Sequence, residues 1–386
     1  MELELSWILL GLPIAFALGW LASRLDLRQL RIENRQAPKA YFRGLSHLLN
    51  EQQDQAIDAF IEAVQKDPET SELHFALGNL FRRRGEYERA VRVHEHLLSR
   101  ADLSRKDRER AQYALAQDFI KAGLLDRAEE ALHRLEHGSH QEQAWLTLLA
   151  LHERARDWER ASDIAQRLQQ SGHADFSARL AHYRCELADH ALRKRGDAAA
   201  ARALLEQVIA ETPGAARPRI QLAGMLARAG DDPGAYDQLV GLQERAAHAV
   251  PLIASEWVRL ARACGRLREV QERLAQAYAQ SPSIDIADAL VQTQVALGMP
   301  MAQAREGYVR HMEQEPSLIA AARWLGHEPF AHDGVHAVVQ QSVERATAPL
   351  ARYRCAACGF ETQGYFWQCP GCLAWDSFPP HRIEEL

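Results

Sequence analysis

The chain lacks three short motifs that commonly announce a catalytic centre. No G-x-x-x-x-G-K-[ST], G-x-S-x-G or H-E-x-x-H occurs in its 386 residues, which leaves phosphate-loop, serine-hydrolase and helical zinc-protease chemistry without a foothold. It also lacks excess positive charge. Lys and Arg number 46 against 52 Asp and Glu, and a net charge of −6 argues against a general nucleic-acid binder. No low-complexity linker separates start from tail. Cysteine is scarce at six, and four of these fall between Cys355 and Cys372. Cys185 and Cys264 each stand alone in a helical pattern and read as buried small hydrophobes. Paired knuckles with two leftover thiols suit a reducing compartment.

The four clustered cysteines form two knuckles, Cys355-Ala-Ala-Cys358-Gly and Cys369-Pro-Gly-Cys372. A C-x-x-C turn brings two sulfurs to one side of the chain. Gly359 can take the left-handed conformation that turns backbone N–H groups toward them. Two facing knuckles make a closed tetrahedral S4 site for one zinc or iron ion, with no position left for a substrate. Tyr353, Phe360, Tyr365, Phe366, Trp367, Trp375 and Phe378 crowd the same stretch. They read as core for a domain too small to fold without metal, or as a docking surface.

At the other end, Leu5 to Ala22 carries no charged side chain. A stretch of about 18 residues at about 1.5 Å rise just crosses a hydrocarbon core. Trp7 and Trp20 sit near its ends, where interfacial aromatics belong. Only Glu2 and Glu4 precede it, whereas Arg24, Arg28, Arg31, Arg35, Lys39 and Arg43 follow. The positive-inside rule therefore leaves the first residues outside and the bulk of the chain in the cytoplasm. A cleaved signal peptide would need a basic start, which is absent.

Between the ends the chain repeats itself with a period of about 34 residues. Gly44, Ala56, Phe60, Ala63 and Pro68 mark the first unit, and Leu77, Gly78, Phe81 and Ala90 recur one period on. This is the tetratricopeptide pattern, in which small residues let two antiparallel helices touch and large ones fill the gaps. The register drifts but continues to Pro316. Gly85-Glu86, Gly196-Asp197 and Gly230-Asp231 mark turns between paired helices. Such an array binds proteins and supplies no chemistry of its own. His47, His74 and Arg82 are candidates to line its groove, whereas His94-Glu95-His96 and His133, His137 and His140 read as incidental surface clusters. Leu318 to Leu325 and Val335 to Thr347 read as two further helices leading to the tail.

The fold class expected is an all-α tetratricopeptide-repeat solenoid with an N-terminal transmembrane helix and a small tail held by the four-cysteine site. Its divisions are a periplasmic stub at 1–4, the membrane helix at 5–22 and a basic juxtamembrane segment at 23–36. An array of about eight repeats at 37–316, capping helices at 317–350 and the metal-binding domain at 351–386 complete it.

This layout resembles the lipopolysaccharide assembly protein B family of Gram-negative bacteria. The resemblance is carried by the anchor with its basic flank, the opening repeat AYFRGLSHLLNEQQDQAIDAFIEAVQKDP and the tail YRCAACGF…WQCPGCLAW. The resemblance implies a rubredoxin-like, zinc-ribbon tail, which departs from a true rubredoxin in its short spacer and in Leu373, which stands where a Gly usually follows the second pair. The resemblance implies a non-enzymatic adaptor in the bacterial inner membrane, with Cys355, Cys358, Cys369 and Cys372 as metal ligands. Its implied partners are the FtsH protease, the lipid A-committing deacetylase and an inner-membrane regulatory protein, and a homodimer is compatible. The alternatives are a scaffold without a proteolytic role, or an iron-containing redox protein.

Overall fold

The computed structural model describes residues 16–18, 20, 39–40, 42–67, 69–328 and 333–386. Two compact units divide the chain, Met1–Arg156 and Asp157–Leu386.

In the first unit, helical residues 42–49 precede α1 (Gln53–Lys66), α2 (Ser71–Arg84), α3 (Tyr87–Ser99), α4 (Arg105–Ala122), α5 (Leu125–His133) and α6 (Gln141–Ala155). Consecutive helices pack on one another, and α2 also reaches α4 across α3. The glycine turns behave as their sequence implies. Gly85 ends α2 at φ 86°, and the next N–H, that of Glu86, donates back to the Phe81 carbonyl at 2.9 Å. That closes a Schellman cap, a backbone turn that a Cβ would strain.

The close approach of paired helices has a direct geometric cause. A Cβ on Gly44 would stand 2.8 Å from the Phe60 ring, and one on Gly78 would stand 2.5 Å from His94 Nε2. The same repeat position thus presents phenylalanine in one unit and histidine in the next. His94 is fully buried, contrary to its reading as incidental surface. Its Nδ1 lies 2.5 Å from Asp118 Oδ2, and Arg82 Nη1 donates to Asp118 Oδ1 at 2.9 Å and to the Ala114 carbonyl at 3.1 Å. One buried carboxylate therefore ties α2, α3 and α4 together. Of the three expected groove residues, Arg82 is spent inside this network and His74 is buried. His47 is half-buried and hydrogen-bonds Gln52 at 2.8 Å.

The second unit runs α7 (Trp158–Gln170), α8 (Ser177–Arg195), α9 (Ala198–Glu211), α10 (Ala216–Arg228), α11 (Asp232–Arg245), α12 (Val250–Ala263), α13 (Leu267–Gln280) and α14 (Ile284–Ala296). After them come α15 (Met301–Ala304), α16 (Glu306–Gln314), α17 (Leu318–Gly326) and α18 (Asp333–Thr347). Aspartates start several of the second helices: Asp197 accepts from the Ala200 N–H and Asp231 from the Gly234 N–H, both at 2.9 Å. A continuous core from Cys185 to Ala289 includes the fully buried Tyr236 and Trp257. The tail adds one small hairpin, β1 (Tyr353–Arg354) with β2 (Glu361–Thr362), paired antiparallel with Tyr353 opposite Thr362.

Among the described residues no helix is long and apolar enough to cross a membrane. The uncharged stretch at 5–22 lies outside the described residues except for 16–18 and 20, and so does Pro68.

Candidate metal centre and its dock

The hairpin and the loop after it bring the two knuckles face to face. All four sulfurs of Cys355, Cys358, Cys369 and Cys372 lie within 4.8 Å of one another. Cys355 and Cys372 approach to 3.8 Å, and Cys358 and Cys369 to 3.7 Å. A tetrahedron with zinc–sulfur bonds of about 2.3 Å has edges of about 3.8 Å, which these two separations match. One cysteine of each knuckle, Cys355 and Cys369, is buried, and the other is exposed.

Local backbone explains the arrangement. Cys355 N–H donates to the Phe360 carbonyl and Cys369 N–H to the Ala374 carbonyl, both at 2.9 Å, which folds each knuckle back on itself. Gly359 follows the first at φ 78°, and Leu373 takes the equivalent left-handed conformation at φ 63° after the second. The departure from glycine leaves the turn intact at a cost of about 1 kcal/mol. Burial raises the Cys355 thiol, but the Ser377 hydroxyl and the N–H groups of Cys358 and Ala357 outweigh it and bring it down to about 6. The Phe360 N–H favours the Cys358 thiolate, yet desolvation and the neighbouring sulfurs dominate and push that thiol up to about 12. Thiolates crowded this closely repel one another, a charge problem that a divalent cation solves.

The tail is fastened to the helices of its own unit at three places. At the first, Trp375 stacks on His182 of α8 with ring centres 4.7 Å apart, and its edge meets Trp158 and Tyr183. The next residue, Asp376, accepts from His182 Nε2 at 2.8 Å and holds a left-handed φ of 48° to do so. At the second, Arg382 forks onto Asp285 at 2.8 and 2.9 Å and lies over the Tyr353 ring. At the third, the last glutamates close helix N-termini. Glu385 accepts from the Ile284 N–H at 2.6 Å, while Glu384 accepts from the N–H groups of Leu318 and Ile319 at 3.1 and 3.2 Å.

The aromatic tail residues therefore divide between the two roles expected of them. Tyr353 and Phe378 are buried in the small core, with Tyr365 packed against it, whereas Trp367 packs on the core of the helical array and Trp375 makes the dock. Phe360 is exposed. A tail docked on the helices was expected from the sequence, but the residues that fasten it were not. His182 and Asp376 are 194 residues apart, and no local spacing signals their meeting.

Profiles of two families match the chain, a rubredoxin metal binding domain over residues 353–380 and a tetratricopeptide repeat over residues 41–94. Lipopolysaccharide assembly protein B of Escherichia coli K12 is 30% identical over 392 residues, covering 98% of this chain and 98% of that protein. The chain belongs to the lipopolysaccharide assembly protein B family. The Haemophilus influenzae member is 27% identical and covers 99% of both chains. Among solved structures, a tetratricopeptide repeat protein from Parabacteroides merdae is 13% identical, covers 67% of this chain and 99% of that one, and has a TM-score of 0.34.

In this member of the lipopolysaccharide assembly protein B family, the cysteines outside the tail behave as small hydrophobes. Cys185 is fully buried, and burial pushes its thiol up to about 12. Cys264 is half-buried, and its thiol is raised by the same cause. His133 hydrogen-bonds Glu136 on an exposed helix end, consistent with solvated surface. His94 is the exception. It lies one period after Phe60, and that spacing was the available signal that it belongs in the core.

Proposed function

We propose that this chain is an adaptor, anchored in the bacterial inner membrane, that regulates lipopolysaccharide biosynthesis. The observation that carries this reading is the end-to-end likeness, 98% of both chains, to proteins named for lipopolysaccharide assembly. Residues 5–22 span the membrane and 1–4 lie on the periplasmic side. The basic segment 23–36 follows, with the array (37–316), capping helices (317–350) and metal domain (351–386) in the cytoplasm. Confinement to the membrane plane raises the effective concentration of the adaptor toward membrane partners.

In this reading the repeats bind proteins, and the adaptor brings the lipid A-committing deacetylase to the FtsH protease. An inner-membrane regulatory protein opposes it. Cys355, Cys358, Cys369 and Cys372 hold one zinc or iron ion whose role is structural, because four thiolates close its coordination sphere. The bound ion supplies the enthalpy that a tail of this size cannot draw from its small core.

The test is the half-life of that deacetylase in cells with and without the protein. Marked lengthening on depletion, reversed by the intact chain and not by Cys355→Ser, supports the adaptor. An unchanged half-life removes the proteolytic role and leaves the scaffold reading.

A further inference from the structure

A cavity of about 200 Å³ lies where the metal-binding tail meets the helices of its own unit, and no role assigned so far uses it. Its floor is the start of α10, and its walls include His182, Thr212 and, from the tail, Trp367 and Asp376. Three independent features converge on it.

The first is an uncapped helix. The N-cap residue of α10 is Ala215, in extended backbone at φ −75° and ψ 121°, with no side chain to accept from the first turn. Ala215, Ala216 and Arg217 all line the cavity, and Pro218 contributes no N–H. A helix start of this kind attracts negative charge and offers backbone donors to it. The second is a buried, incompletely satisfied cation. Arg217 is 7% exposed; its Nη2 donates to Glu186 at 2.5 Å and its Nη1 lies 3.4 Å from His182 Nδ1. With both terminal nitrogens engaged, its Nε–H has no acceptor among the described residues, a buried deficit that a bound acceptor removes. The third is the character of the remaining wall, with Ala178, Ala181, Pro218 and the Trp367 ring providing apolar surface.

The fixed charges set the size of the anion. Glu186 already partners Arg217, and Asp376 lies on the wall, where it accepts from His182. Both carboxylates repel any anion placed there, and a monoanion meets about half the repulsion of a phosphate dianion while using the same helix-start donors and the Arg217 Nε–H. We propose that this cavity binds a small monoanionic carboxylate with an apolar body. The carboxylate accepts from the α10 N-terminus and the Arg217 Nε–H, and the body lies against Trp367. Because Trp367 and Asp376 belong to the tail, occupancy strengthens the dock by mass action.

The test is calorimetric titration of the full chain in detergent with benzoate, and separately with inorganic phosphate. Ala215→Asp is the informative variant: an aspartate suits an N-cap, so the helix keeps its fold while its own carboxylate takes the place of the ligand's. Unchanged far-ultraviolet circular dichroism establishes that this variant is folded. The expected result is saturable one-to-one binding of benzoate, weakened at least about tenfold in Ala215→Asp, with phosphate binding more weakly than benzoate. Absence of saturable benzoate binding, undiminished binding by the folded variant, or tighter binding of phosphate each overturns the proposal.

Discussion

The array and the tail solve the same problem, burial of a core, by opposite means. In the array, each close contact is local and recurs: Gly44 on Phe60 in one unit, Gly78 on His94 in the next. Within each unit the helices lean on their chain neighbours, so the loss of one contact is shared among several. The tail has one two-residue hairpin and four central buried residues, Tyr353, Cys355, Cys369 and Phe378. What it lacks in core it replaces by sulfur geometry and by singular contacts to distant helices, such as Trp375 on His182 and Arg382 on Asp285. Redundancy therefore protects the array, whereas the tail depends on a few groups that nothing replaces.

The sharpest way to break that contrast is to remove the ion. Cys355→Ser with Cys372→Ser, or exhaustive chelation, is expected to forfeit most of the roughly 10–16 kcal/mol of apparent binding energy typical of such sites and to unfold 351–386 alone. Limited proteolysis read by mass spectrometry reports it: cleavage in the tail rises sharply while α1 to α6 stay protected. Equal loss of protection in both units would erase the distinction.

Within the array, the buried network is the place where redundancy fails. Asp118 is fully buried and joins His94 to Arg82, so Asp118→Ala is expected to cost about 3 kcal/mol by orphaning His94 Nδ1 and freeing Arg82. Hydrogen exchange localised to α2, α3 and α4 measures it. Pairing Asp118→Leu with His94→Phe installs the apolar solution of the first unit in the second, and most of that loss is expected to return. A double variant no better than the single would show that the network does more than fill space.

These sites also show what the sequence made legible. The helix pairs, the glycine turns and the sulfur quartet follow from periodicity and short spacing, because their partners lie within one repeat or within the short span from Cys355 to Cys372. His94 was within reach, since it falls one period after Phe60; its neighbours in His94-Glu95-His96 disguised a core position as a polar cluster. The partners in the dock were out of reach. His182 looks like any other histidine on a helix, and Trp375 and Asp376 like ordinary residues of a metal loop, until folding closes the 194 residues between His182 and Asp376. The same holds for Arg217, whose buried donor gains meaning only when the tail walls the cavity above it.

A smaller effect is expected from the dock itself. Trp375→Ala removes a half-buried indole from its stack on His182 and its edges on Trp158 and Tyr183, at a cost of about 2 kcal/mol to docking. The sulfur site should survive, because Trp375 is not a ligand. Metal content near one ion per chain combined with faster exchange in α8 would separate docking from tail folding. Loss of metal together with docking would mean that the two are one event.

The smallest effect probes the chain end, where the contrast is between a carboxylate in water and one at a helix start. Burial would raise the Glu385 carboxyl, but His381 and the N–H groups of Arg382 and Ile284 hold it below the usual value of 4.5. A carboxyl depressed on folding contributes stability that is present above about pH 4.5 and lost as pH falls through its lower folded value. The fastening of the last residues to α14 should therefore weaken only in mild acid. Glu385→Gln should remove that pH dependence and cost about 1 kcal/mol at neutral pH, because an amide is a poorer partner for the helix start. Proteolytic release of the final residues, followed from pH 7 to pH 3, measures both terms. A wild-type chain end whose susceptibility stays flat over that range would show that Arg382 and Glu384 hold it without help from the Glu385 charge.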